Sequence, residues 1–514
     1  MNNNVLFMIP AIGVYLIFML LIGAYYSKRN QSSGDFYLGG RTLGPFVTAM
    51  SAEASDMSGW LLMGLPGLAY LTGCAGAAWT ALGLALGTYI NWLLVAKRLR
   101  TYTSHIGAIT IPDFFSKRYH DEKNILNLVS AIIIIVFFVP YTASGFAACG
   151  KLFNSLFGID YRVAMLISAF VIVGYTTLGG FLAASTTDFI QSIVMTFALL
   201  IVMFFGVHKI GGLSFVLDNA RSMDGFLSMT NVFDPETGTS SPYRLIDIIS
   251  TLAWGLGYFG MPHILLRFMA INDTKKLTLS RRVATIWVLI SLFCAIFIGV
   301  IGNAVTKFGH LKFLAGSKSE TVIVEISNLL SQHGIMFACI AGVIISGILA
   351  STMSTADSQL LVASSGVSKN IFADFFGTKL DAKKEMLLAR STVIVISIIG
   401  CVIASNPQSS VFEIVSFAWA GFGATFGPIV LCALFWKRSN KNGALAGMLA
   451  GFICIFLWKY IIRGLSPALD IYELLPAFLV ALMVNIFVSL ITEKPSENME
   501  KEFSEYIDEL KKVV

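Results

Sequence analysis

The chain has 514 residues, is 56% hydrophobic and 13% charged, and carries 40 Phe and 45 Gly with a mean hydropathy of +0.76. That is more apolar side chain than one soluble core can bury, which excludes a soluble globular domain and describes a polytopic, all-α membrane protein. The net charge of +6 reads as loop topology and not as a nucleic-acid surface.

A bilayer core is spanned by about 20 apolar residues per helix. Thirteen stretches qualify, at 5–27, 42–72, 74–96, 125–150, 163–180, 186–210, 241–268, 283–308, 325–366, 388–404, 411–436, 442–463 and 470–492. The first lacks a basic leader and a small-residue cleavage pattern, so it is expected to be a retained helix and not a signal peptide. Orientation follows from the basic residues, which favour the cytoplasm in short loops. Lys28, Arg29 and Arg41, then Lys97, Arg98, Arg100, Lys117, Arg118 and Lys123, then Lys275, Lys276, Arg281 and Arg282 all fall between odd and even stretches. Lys369, Lys379, Lys383, Lys384, Lys437, Arg438 and Lys441 continue that parity. The loop from His208 to Tyr243 instead sets Lys209 and Arg221 against Asp218, Asp224, Asp234 and Glu236. The parity predicts an N-terminus outside and a C-terminus in the cytoplasm, with a transmembrane region over 1–493 and a short cytoplasmic tail over 494–514.

The second stretch contains "SAEASDMSGWLLMGLPG" (51–67), in which Glu53, Ser55, Asp56, Ser58 and Gly59 interrupt an apolar run. An acid at the middle of a membrane helix costs about 2.5 to 3.5 kcal/mol on insertion scales, so Asp56 is expected to face the bundle interior or a watery cavity. The bland alternative is a packing carboxylate among small residues that serve close helix contact. Glu53 lies three residues before Asp56, on the same face of a regular helix. Either it stays neutral, hydrogen-bonded to a neighbouring helix, or it faces a cavity that takes a second cation.

The seventh stretch reads "STLAWGLGYFGMPHILLRFMA" (250–270), where Gly255, Gly257, Gly260 and Pro262 break an apolar helix. With the first helix counted as an extra one, stretches 2–6 and 7–11 form two runs of five, each opening on an interrupted helix. That pattern points to an inverted-repeat transporter, whose broken helices offer carbonyls to a cation and half-helix N-termini to an anionic group. The ninth stretch adds "SGILASTMSTADSQLLVASS" (346–365), with Ser351, Ser354 and Thr355 on one face. Such hydroxyls also bond merely to the backbone one turn back.

The seven cysteines (Cys74, Cys149, Cys294, Cys339, Cys401, Cys432 and Cys454) lack CxxC spacing and are read as small buried hydrophobes, without disulfides or a metal site. No Walker loop, HExxH or GxSxG appears, and the tail from Thr492, with acids and lysines interleaved, is read as a solvated helix too short for a catalytic domain. The expectation is a transporter and not an enzyme. A solute-gated channel or sensor is the alternative of a different class.

"ASDMSGWLLMGLPG" (54–67), "YTASG" (141–145), "GGFLA" with Asp188 following, "AWGLGYFG" (253–260), "PHIL", "MSTADSQLLV" (353–362) and "WAGFGATFGP" (419–428) resemble the sodium/solute symporter family over essentially the whole chain, and most closely its bacterial sodium/proline symporters. The resemblance implies a LeuT-type fold of two inverted five-helix repeats with one extra helix before them and two after. It implies a plasma-membrane protein that couples sodium to L-proline uptake by alternating access, without an organic cofactor or an obligate protein partner. Another small amino acid or carboxylate is the alternative substrate. For sodium the resemblance implies the carbonyls of Ala54, Met57 and Ser351 and the hydroxyls of Ser354 and Thr355. Five neutral oxygens suit a monovalent ion that must also be released. For substrate it implies Ser58, Gly59, Tyr141, Trp254, Tyr258 and Pro262, since a compact pyrrolidine ring suits aromatic walls and its carboxylate needs donors. Asp188 matches a family acid associated with sodium passage; its alternative is an N-terminal acid stabilised by the helix dipole. Asp56 is the other acid expected to serve coupling. Two positions depart from the pattern: Glu53 stands where a small residue is expected, and Met261 where a polar amide is expected beside Pro262.

Overall fold

The computed structural model describes residues 6–27, 33–378, 381–408 and 410–513. Lys28, Arg29, Lys379, the beginning of the first stretch and the last tail residue lie outside the described residues.

The apolar α1 (Met8–Ser27) and short α2 (Ser33–Leu38) precede the first broken segment, α3 (Pro45–Gly59) and α4 (Leu65–Thr72). Pro45 opens α3 at a position where its missing amide has no helical partner to lose. At Ser58 the backbone turns to φ +45°, ψ −169°, a conformation that costs a side-chain-bearing residue about 1 to 3 kcal/mol and marks a site held by its surroundings. A wide turn over Trp60–Gly64 then carries the chain into α4. α5 (Cys74–Asn91) widens similarly at Trp92–Ala96 and continues as α6 (Lys97–His105). α7 (Ile111–Arg118) is capped by Thr110, whose hydroxyl accepts the Asp113 amide at 3.1 Å.

α8 (Ile125–Phe157) is followed by α9 (Tyr161–Lys209), in which the stretches expected at 163–180 and 186–210 run together. The only departure from helix within it is Gly180, at φ +65°, ψ −175°, which a residue with a Cβ rarely adopts. Beyond it, α10 (Leu213–Ser222) and an antiparallel hairpin of β1 (Asn231–Phe233) and β2 (Ser240–Pro242) fill the long loop, a small exception to the all-α expectation.

The second broken segment is α11 (Leu245–Leu252), a tightly wound stretch over Ala253–Phe259, and α12 (Pro262–Ala270), bent by 45°. Its glycines are there for close approach: a Cβ on Gly257 would lie 1.9 Å from the Trp419 indole nitrogen. Met261 is extended at φ −77°, ψ 108°, as a residue before proline prefers. The chain closes with α13 (Leu277–Lys307), α14 (Val322–Ser331), α15 (Ile335–Ser365), α16 (Ala382–Ile403), α17 (Val411–Phe435), α18 (Lys441–Leu457), α19 (Leu474–Ile491) and α20 (Glu497–Val513).

Among the described residues ten helices are long and apolar enough to cross a membrane, or up to eleven if the bent pair α11–α12 is one span. The expected count of thirteen is not reached by that measure. The stretch at 42–72 is interrupted at Ser58, and those at 163–180 and 186–210 run together in α9. The core is organised around α15, which packs on α1, α3, α8 and α9 and is buried at every residue from Ile344 to Ser365. A helix buried on all sides needs no polar face, so the polar run in its middle has a different origin.

Two expectations are corrected. The cysteines are free thiols, but only Cys149, Cys294 and Cys432 are buried, and the other four are half-buried. The tail is not a solvated helix: α20 lays Met499, Phe503, Tyr506 and Leu510 against the bundle, with Tyr506 stacked on Tyr102 at 4.2 Å between ring centroids. Its period of apolar residues is that of a docked amphipathic helix, and acids between them, Glu502 and Glu509, reach His120 and His105.

Candidate functional site

The break at Ser58 frees backbone groups that a continuous helix would pair, and α15 faces it. The Ser354 hydroxyl donates to the Ala54 carbonyl at 2.9 Å and lies 3.2 Å from the Ser351 carbonyl, which also accepts from the Thr355 hydroxyl at 3.0 Å. Four of the five oxygens expected for sodium are therefore linked in one chain of hydrogen bonds, on residues that are all buried. The fifth, the Met57 carbonyl, accepts the Trp60 amide at the same break. The bland reading of back-bonded hydroxyls describes Thr355 and Ser351, whose own hydroxyl donates to Ile348 at 2.8 Å. Ser354 alone of the three crosses to the broken helix. The donor set fits a monovalent cation: hydroxyls that now donate to carbonyls can turn their lone pairs to an ion, and the oxygens are uncharged.

The Asp56 carboxylate is tied to the second broken segment. Tyr258 donates to its Oδ2 at 2.5 Å, and Tyr141 on α8 donates to its backbone carbonyl at 3.1 Å. Glu53 does not share this arrangement. Its Oε1 accepts the Trp92 indole N–H at 2.9 Å, and its Oε2 is buried without a hydrogen-bond partner. The neighbouring-helix reading of Glu53 thus has a named donor, Trp92, in the wide turn after α5.

Of the residues expected for substrate, Ser58, Gly59, Tyr141 and Tyr258 gather around Asp56 and the break, all buried. Gly59 is close to α8 and α15: a Cβ there would stand 3.1 Å from Ala148 and 3.7 Å from the Thr352 hydroxyl. Trp254 sits a turn before Tyr258, against Trp60, Phe412 and Tyr472 at 5.2 to 5.6 Å between centroids. Trp254, Phe412 and Tyr472 in turn line a cavity of about 750 Å³, together with Val232 of the β-hairpin and the charged Asp247, Arg463 and Glu473. Pro262 and Met261 are buried at the start of α12, on the far side of the second break.

Asp188 is not an N-terminal acid. It lies inside α9, fully buried, and its Oδ2 accepts from Arg267 at 3.1 Å and from Ser51 at 2.6 Å. The Arg267 guanidinium also donates to Ser51 (3.0 Å), to the His263 carbonyl (2.9 Å) and to Ser358 (2.5 Å), and Ser358 donates to Asp357 at 3.1 Å. One arginine thus joins α3, α9, α12 and α15. Buried ions are kept by such pairing. Arg267, Ser51, Ser358 and Trp92 were missed by the sequence reading. For Arg267 the signal was present: it is a lone cation in the apolar "PHILLRFMA", and an ionisable residue within a span is a site by default.

Residues 36–451 match the model of the Sodium:solute symporter family. The chain is 42% identical to the osmoregulated proline transporter OpuE of Bacillus subtilis over 95% of this chain and 96% of the relative. It is 44% identical to the high-affinity proline transporter PutP of the same organism, covering 95% and 99%, and 40% identical to a sodium/proline symporter of Staphylococcus aureus, covering 97% and 95%. Among solved structures, a substrate-bound, outward-open Na+-coupled sialic acid symporter superposes with a TM-score of 0.77 at 17% identity, over 96% of this chain and 99% of that one. At that identity the likeness speaks for the fold alone.

Proposed function

The chain belongs to the sodium:solute symporter family, and on that premise we propose that it couples inward movement of sodium to uptake of L-proline across the plasma membrane by alternating access. The observation that carries the reading is the meeting of Ser354 on α15 with the Ala54 carbonyl of α3, a set of neutral oxygens beside the break at Ser58. Sodium bound by Ala54, Met57, Ser351, Ser354 and Thr355 would hold the broken helix against α15. The substrate, set among Ser58, Gly59, Tyr141, Trp254, Tyr258 and Pro262, would lie beside it. Proline as substrate is supported by the names of relatives 40 to 44% identical over nearly the full chain.

The fold reading completes this. Two inverted repeats of five helices, with one extra helix before and two after, make thirteen spans if the interrupted 45–72, the bent pair α11–α12 and each part of α9 on either side of Gly180 count as one. The parity of the basic loops supports an N-terminus outside and a cytoplasmic α20. One sodium moved with a zwitterion carries one net charge. At 100 mV that contributes about 2.3 kcal/mol, or roughly fifty-fold accumulation, before the sodium gradient is added.

The test is a competition panel of unlabelled amino acids and small carboxylates against radiolabelled proline uptake, with and without sodium. Proline is expected to compete best, and only with sodium present. Equal or better competition by another solute would transfer the assignment to that solute.

A further inference from the structure

The wide turn Trp92–Ala96, the first turns of α13 and the end of α20 enclose a cleft of about 250 Å³. Three cations line it, Lys97, Arg98 and Arg281, and no acid does. Among the described residues none of the three forms an ion pair. Arg281 lies 5.2 Å above the Tyr89 ring, and its Nε is buried without a hydrogen-bond partner. Arg98 lies 4.3 Å above the Phe435 ring. These guanidiniums are supported by aromatic faces but not neutralised.

Next to the cations the surface is apolar. Leu86 and Leu93 of α5 and its continuation, and Ile286 and Leu289 of α13, are all exposed at helical spacing, as lipid-facing residues are. Uncompensated charge at the edge of a hydrocarbon layer is costly, and basic pockets between membrane helices answer that cost by taking up acidic headgroups. We propose that this cleft seats the phosphate of an anionic phospholipid whose acyl chains run along the exposed faces of α5 and α13. Arg98 and Arg281 hold the phosphodiester oxygens and Lys97 adds a third positive charge. Because Leu510 forms part of the wall, the seated lipid touches the tail helix as well as the bundle.

The full-length protein, purified in a neutral detergent, is heated with added phosphatidylglycerol, with phosphatidylcholine, or with inorganic phosphate. The variants are K97Q/R281Q and, as a control, K383Q/K384Q, whose lysines are exposed at the start of α16. Phosphatidylglycerol alone is expected to raise the Tm of the wild type and of the control. The double variant is expected to lose most of that shift. An equal shift in K97Q/R281Q overturns the proposal. So does inorganic phosphate reproducing the shift, which would make the cleft a site for soluble anions. If the double variant does not fold, K97Q alone decides, since among the described residues Lys97 has no hydrogen bond or ion pair to lose.

Discussion

The Tyr258 hydroxyl donates to Asp56 Oδ2 at 2.5 Å, and this one bond joins the two broken segments at their breaks. Ser58 interrupts α3 two residues after Asp56, and Gly260 ends the tight turn two residues after Tyr258. A hydrogen bond to a carboxylate contributes about 1.5 to 3 kcal/mol. Tyr258→Phe removes only that hydroxyl and is expected to raise the half-saturating concentration of proline or sodium about ten-fold or more, read from uptake kinetics at matched expression.

Asp56→Asn keeps the shape and discards the charge. Severely impaired coupled uptake is expected, because Asp56 lies between Ala54 and Met57 of the proposed sodium site and its carboxylate holds Tyr258 of the second broken segment. Wild-type sodium activation in this variant would reduce Asp56 to packing.

Ser354→Ala and Thr355→Ala each remove one oxygen from the proposed sodium set. Both are expected to raise the sodium concentration for half-maximal uptake, with Ser354→Ala the more damaging because its hydroxyl alone crosses to Ala54. Unchanged sodium curves for both, with normal expression, would remove α15 from the site.

Glu53→Gln separates the two readings of that residue. The amide oxygen can still accept from Trp92, as Oε1 does, so transport with unaltered pH and sodium dependence is expected. A shifted dependence on either ion would mean that Glu53 serves a cation and not the Trp92 indole.

Arg267→Met leaves Asp188 buried and unpaired, which costs about 3 to 5 kcal/mol. Its thermal stability is expected to fall sharply and to recover in part when Asp188→Asn is added, since the second change removes the stranded charge. A double variant no more stable than the single one would show that the pair is not coupled.

The breaks were legible because their causes are local: Ser58 and Gly59 in one polar run, and three glycines and a proline in the other. The hydroxyls of the proposed sodium site were legible as a polar face in α15, but its carbonyls only by resemblance, because carbonyls carry no residue identity, and the meeting of Ala54 with Ser354 across 300 positions has no sequence signal of its own. Arg267 was legible and passed over, hidden beside a more conspicuous glycine pattern. The docking of α20 was misread because its interleaved charges suggested solvent, whereas Phe503 and Tyr506 were the residues that decided it. The partner of Glu53 lay on another helix and was beyond any local rule.

The most direct test is uphill accumulation of radiolabelled proline in proteoliposomes holding the purified protein, with an inward sodium gradient imposed, abolished, or replaced by potassium. Accumulation above the external concentration is expected only with the inward sodium gradient, collapsing when the gradient is abolished and requiring more sodium in Ser354→Ala. Proline that merely equilibrates whatever the sodium gradient would contradict coupled transport and leave a passive pathway in its place.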